Sequence, residues 1–184
     1  ASFARFAPRY VEWLHGRDRS GALWQQGEVE LVARPAEWAG IEMHGVIDRV
    51  DRIPQPDGGA LAQLIDYKAG NVQRLRDLAK TPQEDTQLAF YAALMAAQPE
   101  AGADIGAEIG ALYLPLDESG PIKEIVHIEV EASGRRLVAG IGNELERLRA
   151  GAPLPALGEG AACGYCEARG LCRRDQWQAL ETVG

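Results

Sequence analysis

The run Leu64-Ile65-Asp66-Tyr67-Lys68 sets a carboxylate and an ammonium two residues apart in an apolar, strand-like stretch. Strand side chains alternate between faces, so Asp66 and Lys68 point one way while Ile65 and Tyr67 point the other. The pair is either an ordinary surface ion pair or half of a metal-dependent site. A second carboxylate, Asp48, comes late in an earlier strand-like run, His44 to Arg52. Neighbouring strands can bring two carboxylates within reach of one divalent cation; Mg²⁺ takes one or two of them, with water and a substrate phosphate completing its shell. Lys68 would then hold an attacking water or neutralise charge building on a phosphate. Asp51, three residues beyond Asp48, faces the other way in a regular strand, and is expected to be structural, paired with Arg49 or Arg52. Gln87 and Tyr91 lie four apart in a helical pattern and share a face. Either they present an amide and a phenol to one groove, or Tyr91 is core and Gln87 is exposed beside it.

The elements that must position these residues follow from periodicity and turn chemistry. Phe3, Phe6, Tyr10, Trp13 and Leu14 recur at near-helical spacing and predict an amphipathic helix, broken or begun near Pro8. The runs 27–34, 41–53 and 61–70 read as three strands antiparallel in sequence order, the last two joined by the Pro/Asp/Gly-dense turn 54–60. Residues 71–83 read as a mobile connection or a short helix. A helix is predicted over 81–98, started by Thr81-Pro82, with acids in its first turn and Leu88, Tyr91, Ala92 and Met95 as its apolar stripe. Two further strands (105–116 and 122–131) and a helix over 133–151, ended by Gly151 and Pro153, complete the pattern. A central mixed sheet flanked by helices, α/β or α+β, is the economical fold, with an irregular cysteine-rich tail over 153–184.

With 184 residues, the chain is long enough for one domain with a real core. A net charge of −8 argues against a free-standing protein that coats nucleic acid, yet not against a nuclease, because cation-binding carboxylates make a site locally acidic. Basic clusters occur at Arg5 and Arg9, at Arg74, Arg76 and Lys80, and at Arg173 and Arg174; each is also readable as a solvated face. No apolar stretch reaches membrane-spanning length. All three cysteines, Cys163, Cys166 and Cys172, lie within ten residues, a poor disulfide framework that fits a reducing, cytoplasmic setting better. Read alone, they are a zinc knuckle with a histidine or unliganded thiols. The first residue is Ala1 rather than Met, so the chain is expected to be an excised piece of a longer protein.

The order of these features carries more than any one of them: Gly45-x-Ile47-Asp48 in one strand, Ile65-Asp66-Tyr67-Lys68-x-Gly70 in the next, Gln87-x-x-x-Tyr91 on a helix, then Cys-x₂-Cys-x₅-Cys. This resembles the RecB-like branch of the PD-(D/E)XK nuclease superfamily, with the closest likeness to the C-terminal nuclease domain of AddB-type subunits of bacterial helicase–nucleases. The resemblance covers about residues 28–175. It implies a restriction-endonuclease-like core over 1–184 that hydrolyses DNA phosphodiesters with Mg²⁺ or Mn²⁺, as an exonuclease working with a helicase in the repair and recombination of broken DNA. Asp48, Asp66 and the Tyr67 carbonyl would hold the metal, Lys68 would be the catalytic lysine, and Gln87 and Tyr91 would lie beside the site against the DNA strand. Cys163, Cys166 and Cys172 would supply three of four ligands of a [4Fe–4S] cluster. The fourth cysteine and an upstream metal-binding histidine or acid are not visible, since His15 does not stand in the family's motif. The fragment is therefore expected to bind a cluster weakly or not at all, and to be feebly active or inactive alone. The alternative is a catalytically silent DNA-binding or scaffolding domain of such a complex.

Overall fold

The computed structural model describes residues 2–69, 72–80, 86–98, 108–116, 121–153, 163, 166 and 167. The chain divides into two compact units, Ala1–Glu144 and Leu145–Gly184. The first unit contains α1 (Ser2–Arg19), β1 (Leu23–Ala33), a 3₁₀ turn (Ala36–Trp38), β2 (Met43–Pro54), β3 (Ala60–Lys68), α2 (Val72–Lys80), α3 (Thr86–Ala96), β4 (Glu108–Pro115) and β5 (Ile125–His127), and α4 (Val130–Arg149) begins in it. In the second unit, α4 ends at Arg149, and Gly151 just beyond it takes a left-handed φ of +86°. There the Ala152 N–H reaches the Arg147 carbonyl and the Gly151 N–H that of Leu148, the closure that a glycine allows at a helix end.

The five strands lie in sequence order, β1-β2-β3-β4-β5. The first three are antiparallel, β4 runs parallel to β3, and β5 returns antiparallel to β4. The sheet is mixed and flanked by helices, an α+β restriction-endonuclease-like fold. On one face, Ile65, Leu112 and Leu114 form a buried cluster with Tyr10 and Trp13 of α1, together with Tyr67 and Ile122. On the other lies α3, with Leu88, Ala89, Ala92, Leu94 and Met95 buried. α4 packs over α3 so closely that a Cβ on Gly134 would stand 2.8 Å from the Ala89 carbonyl oxygen. Covered by the sheet below and α4 above, α3 buries more than the single stripe its sequence predicts.

The two faces differ in chemistry. The α1 side holds a buried ion cluster at Asp51, whose side chain is 0% exposed. Arg17 of α1 donates from Nη2 to Asp51 Oδ2 at 2.8 Å, and Arg49 donates from Nε to Oδ1 at 2.7 Å. The expected structural role of Asp51 beside Arg49 is therefore seen; Arg17, not Arg52, is the second arginine. Burial disfavours the Arg49 charge, but Asp51 and then Tyr67 more than offset this and hold its pKa above the ordinary value. Tyr67 donates to, or accepts from, the Tyr10 hydroxyl at 2.7 Å. Burial first, and Tyr10 second, push its phenol pKa up, against Arg49.

Two local expectations need correction. α1 is not broken at Pro8 but runs through it; Pro8 and Ala4 are both exposed, so water can satisfy the Ala4 carbonyl that loses its helical donor. The last predicted strand is cut to Ile125–His127, because Glu129 takes φ +57° and Val130 already begins α4. Of the two readings open for the segment after β3, Val72–Lys80 take the helical one, as α2. The start signal Thr81-Pro82 and Gly70 lie outside the described residues.

Because Asp51 neutralises two buried guanidinium groups, Asp51→Ala is expected to cost about 3–5 kcal/mol. Urea unfolding measures this; a loss below about 1 kcal/mol, the scale of an exposed pair, would show that the cluster is not what joins α1 to the sheet.

Candidate active site

The site begins where the β2–β3 ladder stops. Its last pair toward the carboxyl end of β3 is Arg49↔Ile65, and the next positions along that register are Asp48 and Asp66. There the pairing of main chains gives way to a side chain: Asp48 Oδ2 accepts the Tyr67 N–H at 2.8 Å. That places the Asp48 carboxylate in the plane of the sheet, at the edge of β3. In an extended residue the N–H and C=O point to the same edge, so the Tyr67 carbonyl faces the same gap.

Regular alternation does not lead to this arrangement. A Cβ on Gly45 would meet Leu94 and Tyr91 of α3, whereas Arg49, four residues on, contacts Tyr10 and Trp13 of α1 on the opposite face. The phase of β2 thus slips between Gly45 and Arg49, the stretch that contains Asp48. β1 slips with it: Gly27↔Arg49 and Val29↔Ile47 pair in one register, while Glu28 between them takes φ +52°.

Asp66, 2% exposed, projects toward α3. Its Oδ1 accepts from Gln87 Nε2 at 2.9 Å, and its Oδ2 lies 2.6 Å from Lys68 Nζ. Gln87 Nε2 also donates to the Tyr91 hydroxyl at 3.0 Å. Gln87 and Tyr91, both half-buried, therefore share the groove-facing side of α3. Gly45 is what allows Tyr91 this close to β2: a Cβ there would stand 2.9 Å from Leu94 Cδ1 and 3.3 Å from Tyr91 Cε1. Lys68 lies 5.5 Å from the centroid of the buried Tyr113 ring, within cation–π range. Tyr113 carried no sequence signal, because only the parallel pairing Asp66↔Tyr113 brings it under Lys68.

Asp48, Asp66 and the Tyr67 carbonyl offer oxygen donors only, and the side chains of Asp48, Asp66 and Lys68 sum to one negative charge. That donor set suits a hard divalent cation that keeps water in its shell. Among the described residues no three His, Cys, Asp or Glu side chains gather as a metal site, so the fit rests on two carboxylates and a carbonyl. His15 is exposed on α1, the helix that covers the opposite face of the sheet. Of the cysteines, Cys163 is half-buried and Cys166 exposed; Cys172 lies outside the described residues.

Gln87 joins Asp66 to Tyr91, and hydrogen bonds to a charged, buried acceptor are worth about 1.5–3 kcal/mol. Gln87→Ala is expected to destabilise the fold by about 1–2 kcal/mol, read by chemical denaturation. A change within about 0.3 kcal/mol would mean that the amide does not hold Asp66 in solution.

The geometry thus sets two carboxylates, a lysine and a Gln–Tyr pair at the carboxyl end of β3. A family model described as the PD-(D/E)XK nuclease superfamily matches residues 1–173. No curated protein matches the chain significantly. The order of motifs, the mixed sheet and this match together make the chain a member of the PD-(D/E)XK nuclease superfamily.

Proposed function

We propose that the protein hydrolyses DNA phosphodiester bonds at the Asp48–Asp66–Lys68 site, with Mg²⁺ or Mn²⁺ as cofactor. The observation that carries this reading is the juxtaposition of Asp66 and Lys68 Nζ at 2.6 Å, with Asp48 on the adjoining strand held against the Tyr67 amide. Asp48, Asp66 and the Tyr67 carbonyl would hold the cation, which when bound would activate water and offset phosphate charge. Lys68, whose side chain is 29% exposed, extends from the buried Asp66 to solvent. There its ammonium can donate to an attacking water or to a phosphate oxygen. Gln87 fixes Asp66 through Oδ1, and the Tyr91 phenol beside it would lie against the DNA strand.

The finer reading is an exonuclease that serves a cytoplasmic helicase–nuclease in repair of broken DNA, of the AddB type. It draws on the motif order and on charge: a chain at −8 has little electrostatic grip of its own on DNA, so a helicase partner would supply it. Cys163, Cys166 and Cys172 would contribute three ligands to a [4Fe–4S] cluster, which needs a fourth from elsewhere. No helix among the described residues is long and apolar enough to cross a membrane.

The test is release of nucleotides from labelled single- and double-stranded DNA with Mg²⁺ or Mn²⁺. Asp66→Ala and Lys68→Ala are each expected to lower the rate by about 10²-fold or more, and chelation to abolish it. Equal trace release by wild type and both variants would sink the enzymatic reading and leave a silent DNA-binding domain.

A further inference from the structure

We infer that Glu28, on the edge strand β1, is a positioning residue for Asp48, acting through its backbone rather than its carboxylate. Glu28 is exposed and takes a left-handed φ of +52° in mid-strand, a conformation that L residues other than Gly, Asn and Asp seldom adopt. It lies across from Asp48: its neighbours pair as Gly27↔Arg49 and Val29↔Ile47. A Cβ on Gly27 would sit 3.5 Å from the Asp48 carbonyl oxygen, so β1 runs close beside Asp48 at this point.

The consequence is geometric. Before the irregularity, Met43 and Ala33 line a groove with Ala93 of α3 and Ala97 just past its end, so both strands present these positions to α3. After it, Arg49 and Asp51 turn to Arg17 and Tyr10 of α1. Since the register is unchanged across the irregularity, the two strands slip together, and Asp48 is the β2 residue at the slip. A regular β1 would keep β2 in one phase and send Arg49 and Asp51 toward α3. Asp48 could not then turn in the sheet plane to the Tyr67 N–H. Strained backbone of this kind persists where the surrounding structure enforces it, and it clusters at functional sites.

This rests on the reading of Asp48 as a metal ligand, and the test separates the two. Amide exchange at Tyr67 and Mn²⁺ affinity are measured in wild type, Glu28→Gly, Glu28→Ala and Glu28→Val, with the Leu64 amide in the paired part of β3 as internal control. Glycine adopts the left-handed conformation freely and valine resists it. Glu28→Gly is expected to keep both properties. Glu28→Val is expected to speed Tyr67 exchange by about ten-fold with Leu64 unchanged, and to weaken Mn²⁺ binding by about ten-fold. Glu28→Ala falls between, and it carries the comparison if the valine variant fails to fold. Tyr67 exchange equal in Gly, Ala and wild-type proteins, and in the valine protein where it folds, would overturn the inference. Absence of Mn²⁺ binding in wild type would sink the metal reading, while the exchange series would still decide the role of Glu28.

Discussion

Tyr67 has an amide that β2 does not satisfy with its own backbone. Elsewhere along β3 the ladder does this work, pair by pair, from Ala60 to Ile65. At Tyr67 the acceptor is the Asp48 carboxylate. An unsatisfied buried donor costs about 1–3 kcal/mol, so the requirement to pair this N–H holds Asp48 at the edge of β3. Everything chemical in the site is arranged around that substitution. It brings Asp48 level with Asp66, leaves the Tyr67 carbonyl facing the same gap, and leaves the β2-side edge of β3 unpaired at its end, while β4 still covers the other edge.

Both faces of the sheet support this edge. On one, Arg17, Asp51 and Arg49 form a buried cluster that attaches α1 to the residues next to Asp48, while Tyr10 meets the Tyr67 hydroxyl. On the other, Gln87 and Tyr91 of α3 fix Asp66, and Gly45 leaves room for Tyr91. A buried ion cluster is a weak source of net stability against an apolar alternative, though breaking one is costly. Its value here is directional: charges fix where α1 meets β2 in a way that apolar contacts do not.

The parts of this arrangement differ in how far the sequence betrays them. Asp66 and Lys68 share a face by simple alternation, and Gln87 and Tyr91 by helical spacing, so both pairs are legible from local rules. Asp51 is legible as structural, since a carboxylate beside Arg49 seeks that partner. Asp48 is not placed by alternation, because the phase of β2 slips between Gly45 and Arg49. Its membership of the site comes from the motif order instead. Arg17 reaches Asp51, and Tyr113 reaches Lys68, only through tertiary packing and parallel pairing, which leave no local signal. Pro8 misleads in the opposite sense: a residue that breaks helices in isolation is tolerated where the freed carbonyl faces water. Just past β5, Ile128 and Val130 look strand-like, but a left-handed Glu129 lies between them and Val130 opens a helix.

The most direct measurement of the central claim is the anomalous scattering of Mn²⁺ in crystals of the protein. The account predicts a peak at about 2.0–2.6 Å from oxygens of both Asp48 and Asp66, with the Tyr67 carbonyl oxygen also in the shell. A manganese bound elsewhere, with Asp48 still on the Tyr67 amide and Asp66 still on Lys68, would contradict it.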